Sequence, residues 1–161
     1  MFREMRRKKQ ELSAADTAAV FERATSGVLA VSGDDGYPYT VPISFIYCGS
    51  KIYFHCAKAG HKIDAIRQNN KVSFCVIDSD CVHPEKFTTY FRSAIAFGKA
   101  RIIEDTAEKR AALEFLAAKY TPDDADGRRK EIDGSIERVC IIELEIEHMT
   151  GKEAIELVNM K

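Results

Sequence analysis

The chain has 161 residues, with 24 Lys and Arg against 25 Asp and Glu and a formal net charge of -1. That near balance argues against a dedicated nucleic-acid binder, which carries a clear basic excess, and no apolar stretch is long enough for a membrane-spanning helix. With 45% hydrophobic and 30% charged residues, residues 1–161 suit one globular domain whose core needs neither disulfide nor metal.

Residues 1–11 are expected to form a polar arm, including the basic run Arg6-Arg7-Lys8-Lys9. The arm is charged and no apolar run follows it, so it does not read as a secretory signal. Ser13 is placed to cap a helix burying Ala18, Ala19 and Val20 or Phe21, and ending near Gly27. Strand patterns then take over. Val28–Val31 is a short apolar run, and Asp34-Asp35-Gly36 is a turn. Tyr39–Tyr47 is rich in β-branched and aromatic residues but interrupted by Pro42, which marks an edge or a bulge.

Cys48-Gly49-Ser50 is the next turn, and Lys51–His55 the next strand. His61–Gln68 has helical spacing, and Lys71–Ile77 returns to strand. Cys81–Phe87 reads as a loop containing Pro84. Thr88–Ile103 is a long strand in which Gly98 suggests a bulge. Thr106 is placed to cap an amphipathic helix reaching Tyr120, with Ala112, Leu113, Leu116 and Ala117 on one face. Residues 121–135 are polar, with a loop and a short helix, and Val139–Glu147 alternates as a final strand. About six strands with mostly short connections imply antiparallel pairing. The expected fold is mostly β with flanking helices, a six-stranded sheet curled into a barrel to hide its edges.

The stretch from Tyr53 to Ile66 is a strand turning through Gly60 into a helix. A helix start offers unpaired N–H groups and partial positive charge. Gly60 permits close backbone approach, and His61 and Lys62 add donors, so the turn suits a phosphate. By composition alone a plain turn with His61 and Lys62 solvated is the commoner outcome.

His55 with Cys56, and Cys81 with His83, lack zinc-site spacing, so no metal is expected. The five cysteines, Cys48, Cys56, Cys75, Cys81 and Cys140, are odd in number and contain no CxxC. They read as free thiols in a reducing cytoplasm. The paired carboxylates Asp34-Asp35 and Asp123-Asp124 lie in turn-rich loops.

Several segments taken in order carry a resemblance. They are Met5-Arg6-Arg7-Lys8; Tyr39-Thr40-Val41-Pro42-Ile43-Ser44; Tyr53-Phe54-His55 leading to Gly60-His61-Lys62; Tyr90-Phe91-Arg92-Ser93 running to Phe97-Gly98-Lys99-Ala100-Arg101; and Thr150-Gly151-Lys152-Glu153. Through them the chain resembles the flavin-binding split-barrel family related to pyridoxamine 5′-phosphate oxidase, and within it the Nim-type 5-nitroimidazole resistance proteins.

The resemblance implies a split β-barrel that binds FMN at a homodimer interface. Thr40, Val41, Pro42, Ile43 and Ser44 match the strand whose backbone faces the flavin ring. Phe54, His55 and Cys56 match the strand end beside the ring and ribityl chain. Gly60, His61 and Lys62 match the phosphate turn, and Ser93 a polar flavin contact. The hydroxyls of Thr40, Ser44 and Ser93 are expected along the ribityl groove, and Val41, Ile43 and Phe54 as its apolar slot. His55 also matches a histidine tied to activity.

Two departures from the oxidase pattern argue against vitamin B6 oxidation. His61-Lys62 stands where the oxidases place arginine and lysine, and their C-terminal substrate motif is not evident. The expected function is an FMN-dependent oxidoreductase taking electrons from NADH, NADPH or another donor and reducing nitroaromatic or other small acceptors, with His55 positioning the acceptor or donating a proton. One alternative is a flavin- or haem-binding module without turnover. A more distant one is a barrel that stacks single-stranded nucleic acid on its aromatics.

Overall fold

The computed structural model describes residues 1–160. Helix α1 (Ala14–Arg23) starts where Ser13 Oγ accepts the Asp16 N–H at 3.0 Å. It ends at Arg23, short of Gly27, because Ala24 already has extended backbone. Its buried face is Thr17, Val20 and Phe21, while Ala18 and Ala19 are only half-buried. Seven strands follow in one antiparallel sheet: β1 (Ser26–Ser32), β2 (Pro38–Ser44), β3 (Ile46–Cys48), β4 (Lys51–Ala57), β5 (Lys71–His83), β6 (Thr88–Ile103) and β7 (Val139–Glu153). Their order across the sheet is β2-β1-β5-β6-β7-β4-β3.

That order explains the barrel and its split. The two edge strands, β2 and β3, are consecutive in the chain and joined by Phe45 alone. The sheet therefore curls until its edges nearly meet, yet they do not pair with each other. β2 hydrogen-bonds only to β1, with Pro42 opposite Val28. A proline on an edge strand removes one donor without breaking an internal ladder.

The strand count is seven, not six, because the Tyr39–Tyr47 segment divides at Phe45 into β2 and β3. Phe45 has no accessible surface. Tyr120 Oη accepts its N–H at 3.0 Å and lies 3.0 Å from its carbonyl oxygen, to which it can donate. A hydroxyl on a distant helix thus satisfies the backbone at the break, where no strand can.

Two further boundaries differ from the sequence reading. Cys81–His83 is strand and not loop, because β5 and β6 remain paired as far as His83 and Thr88. The reversal is then made by Pro84–Lys86 and the left-handed Phe87. The last strand continues to Glu153, since its second half pairs with β6 and not with β4. The β6–β7 register shifts between Phe97 and Gly98, where a Cβ on Gly98 would collide with the Glu145 carbonyl.

The barrel interior is built on Phe21, Phe45, Phe54 and Phe74, all without accessible surface. Phe74 meets Phe45 and Phe54 edge-on at centroid distances of 4.8 and 4.9 Å. Each such contact adds roughly 0.5–1.5 kcal/mol beyond burial, which matters in a chain without Trp.

Helix α2 (His61–Gln68) contributes Ile63 and Ile66 to this core. A second cluster lies between α3 (Thr106–Tyr120), α4 (Ala125–Ser135) and the other face of β4 and β7, with Leu113, Leu116, Ile132 and Ile141 at its centre. The α3 cap is Asp105 and not Thr106: its carboxylate accepts the Glu108 N–H at 2.8 Å. Helix α5 (Ile155–Asn159) closes the described chain. The amino-terminal arm is docked. Phe2 stacks on His148 at 4.8 Å, and Gln10 is buried with Nε2 donating to the Glu153 carbonyl at 3.0 Å.

Candidate functional site

The phosphate-type turn forms as the residues suggest. Gly60 caps α2 at φ 129°, ψ 168°, with no side chain capping the first turn. A Cβ on Gly60 would meet nothing within 4 Å, so the space in front of the helix start is open. The Gly60 carbonyl accepts from Ile63 and Asp64 at 2.9 and 3.2 Å, while the His61 and Lys62 N–H groups that begin the helix have no intrahelical acceptor. Lys62 is half-buried there. His61 is held more firmly than a solvated side chain: its ring lies 4.1 Å from the Tyr39 ring, and Nε2 is 3.6 Å from Asp34 Oδ2. The turn Asp34–Gly36, with Asp35 and Gly36 at positive φ, brings that carboxylate over the helix start.

Strand β2 leads from this turn to His55. At its beginning Tyr39 touches His61; at its end Ser44 lines a cavity with His55. Five residue steps of extended strand carry the chain from Tyr39 to Ser44, roughly 17 Å at 3.4 Å per step. Thr40 and Pro42 are exposed along that path and Ser44 is half-buried. The backbone on the open side of β2 has no strand partner.

The cavity at the His55 end has a volume of about 370 Å³. It lies beneath α3 and α4, and its wall includes Leu113, Leu116, Tyr120 and Ile132. His55, exposed on β4 opposite Ile141, is the imidazole in this largely apolar wall.

Three sequence-derived positions are placed differently from the slot they were expected to form. Phe54 has no accessible surface, and Val41 and Ile43 pack against the barrel core. Strand alternation turns these side chains inward while Thr40, Pro42 and Ser44 face out, so only their backbone reaches the groove. Cys56 likewise points toward the core, opposite Cys140 on β7. Ser93 lies on β6 opposite Ile77 and Lys152. It is three strand spacings from β2, about 14 Å along the sheet, and one chain does not bring it to the groove.

Tyr39, Asp34 and Tyr120 join the site without having been singled out as its residues. The first two were visible only as a strand aromatic and a turn carboxylate. Among the described residues no group of three or more His, Cys, Asp or Glu is arranged to hold a metal, and no helix is long and apolar enough to cross a membrane.

An open antiparallel barrel, split between β2 and β3, with a glycine-capped helix start at one end of the split and a histidine-lined cavity at the other, is the architecture of split-barrel proteins. The chain belongs to the pyridoxamine 5′-phosphate oxidase family, whose model matches residues 13–153. A candidate 5-nitroimidazole antibiotic resistance protein from Bacteroides thetaiotaomicron is similar at 26% identity over 89% of this chain and 86% of that one, with a TM-score of 0.76.

A flavocytochrome from Azotobacter vinelandii shares the fold at 22% identity, covering 94% of this chain and 72% of its own, with a TM-score of 0.77. A FAD-binding protein from Mesorhizobium loti does so at 22% identity, covering 90% and 97%, with a TM-score of 0.68. Comparison with curated protein sequences gives no match.

Proposed function

We propose that this protein is a homodimeric FMN-dependent oxidoreductase that passes electrons from NADH or NADPH to a small organic acceptor, with nitroaromatics such as 5-nitroimidazoles in its range. The observation that carries this reading is β2 itself. It links a lysine-bearing helix start that has no side-chain cap to a histidine-lined apolar cavity along an unpaired strand edge. A long cofactor with a dianion at one end and a flat ring at the other fits that layout. Membership of the family and likeness to the Bacteroides protein support it.

In this assignment Lys62, His61 and the α2 N–H groups hold the phosphate. The hydroxyls of Thr40 and Ser44 line the ribityl path, and the open backbone of β2 faces the ring. His55 orients the acceptor or holds a proton for it, work suited to an imidazole. Bound FMN supplies the electron transfer, and the protein supplies position and electrostatics.

A second copy is part of the proposal. Pro42, Val28, Cys75 and Ile95 stand in register across four strands on the outer sheet face. Val28 and Ile95 are more than a third exposed, and nearby Ile77 is 66% exposed. Such an apolar strip suits coverage by a twofold partner. A partner is also the simplest way to bring Ser93 to a flavin.

The absorbance spectrum of the purified protein, with its extracted cofactor identified, tests the binding half. Absence of flavin together with failure to bind added FMN overturns it. Anaerobic mixing with NADH and NADPH, followed by a nitroaromatic, tests the catalytic half. Bound flavin that neither nucleotide reduces leaves a carrier in place of an enzyme.

A further inference from the structure

Cys56 and Cys140 are directly opposite each other on β4 and β7. Antiparallel neighbours alternate between hydrogen-bonded and non-hydrogen-bonded pairs. The Ile146 N–H donates to the Ser50 carbonyl at 2.9 Å, which makes that pair hydrogen-bonded. The register then runs unbroken from Lys51↔Glu145 to Cys56↔Cys140. Cys56 lies six residues beyond Ser50, so the cysteine pair is of the same type, with Cα atoms about 5.5 Å apart. That spacing falls within the range a disulfide spans.

Opposed residues share a sheet face, so both thiols point to the same side. Both residues lie at the margin of the barrel core, and on one side Cys140 opens onto charged groups. Cys140 is 6% exposed and borders a cavity of about 250 Å³ that Lys58, Arg67, Lys109 and Glu104 also line. Three cations against one carboxylate in the cavity beside a buried sulfur favour its thiolate.

We propose that Cys140 and Cys56 form a dithiol that reacts with small hydroperoxides. The Cys140 thiolate attacks the terminal peroxide oxygen. An S–O bond forms and the O–O bond breaks, giving the Cys140 sulfenic acid and releasing hydroxide or alkoxide, which takes up a proton as water or alcohol. Cys56 then attacks the Cys140 sulfur. An S–S bond forms, the S–O bond breaks, and the displaced hydroxide combines with the Cys56 proton as water. Two thiols are oxidised by two electrons and one peroxide is reduced.

The cations serve the first step by holding the thiolate and stabilising the departing oxyanion. Burial selects the oxidant: a 250 Å³ cavity around a sulfur that is almost covered admits a small peroxide and excludes bulky disulfides. The Cys140 thiol is set for this. Interaction with the Cys56 thiol lowers it to about 7 against the upward push of burial, with Lys109, Arg67 and Lys62 helping, while the Cys56 thiol is raised by the same interaction and by burial.

The test uses the full chain as purified and reduced, independent of its flavin content. It is treated with one equivalent of hydrogen peroxide, alkylated and mapped by mass spectrometry. The expected result is a crosslinked peptide pair containing Cys56 and Cys140, formed before the exposed Cys81 is oxidised. In Cys56→Ser the reaction stops at a sulfenic acid on Cys140, trapped by dimedone. Lys109→Ala slows Cys140 oxidation severalfold and Lys109→Arg restores it. Cys140 that stays fully alkylatable after peroxide, or oxidises no faster than Cys81, overturns the proposal. In wild-type protein, which needs no variant to fold, a Cys140 sulfenic acid that never proceeds to the crosslink overturns the role of Cys56.

Discussion

Replacing Lys62 with Ala separates phosphate recognition from every other contribution to flavin binding. Lys62 is the second residue of α2, beside a helix start with no side-chain cap. A charge-assisted hydrogen bond to a phosphate is worth roughly 1.5–3 kcal/mol. Lys62 is only half-buried, and solvent screening puts it in the lower part of that range. About 1.5–2 kcal/mol corresponds to a roughly 10–30-fold rise in the FMN dissociation constant.

The helix N–H groups and dipole remain in the variant, so binding weakens and is not abolished. Riboflavin has the same ring and ribityl chain without the phosphate, and its affinity should change less than about twofold, or about 0.4 kcal/mol. Quenching of flavin fluorescence, titrated with each ligand at one fixed ionic strength, measures both constants. Equal losses for FMN and riboflavin, or no loss for FMN, would refute the assignment of this turn. His61 is a poorer probe, because its contacts to Tyr39 and Asp34 also anchor the helix start.

Three further outcomes test the framework around the site. Tyr120→Phe removes the hydroxyl that meets Phe45 N–H, leaving a buried donor without an acceptor. It should cost about 1–3 kcal/mol in denaturant unfolding and disturb the cavity at His55. Asp105→Ala should lower stability by about 1 kcal/mol through loss of the α3 cap, whereas Thr106→Ala should be close to neutral.

Acid should destabilise the fold through two carboxylates held below their ordinary range. For Asp78 the chief cause is the hydrogen bond from Arg23, at 2.5 Å, with Arg92 assisting. For Glu143 burial pushes upward, but the hydrogen bonds from Arg101 and Lys51, at 2.8 and 2.9 Å, outweigh it. Folded values below unfolded ones mean that this stabilisation is complete above the ordinary carboxylate range, near pH 4, and is lost as pH falls through the folded values. Melting temperatures measured from pH 7 to 3 should fall less steeply in Asp78→Asn and Glu143→Gln.

Much of the local structure is legible in the chain because its causes are local. Ser13 caps α1, Gly60 introduces α2, Pro42 confines β2 to an edge and Gly98 marks the bulge in β6, each through the geometry of one residue. The ordered segments from Met5 to Glu153 point to the family, and the phosphate-type turn is readable from Gly60, His61 and Lys62. The choice between Asp105 and Thr106 as cap was not legible, since both are capping residues and one step of backbone decides between them. The length of β7 was not legible either, because its second half alternates less clearly and is held by a different neighbour.

What only the tertiary structure decided is which side chains face which space. Periodicity assigns Val41, Ile43 and Phe54 to one face of their strands, but it does not say that this face is the barrel core. Nor does it reveal that β2 and β3 part at Phe45, since that break depends on a hydroxyl 75 positions away in the chain. The opposition of Cys56 and Cys140, 84 residues apart, follows from the β4–β7 register. Chain-local signals report backbone preference and burial pattern. The split, the groove along β2 and the paired thiols arise from strand order and register, which depend on long-range contacts and the closure of the sheet.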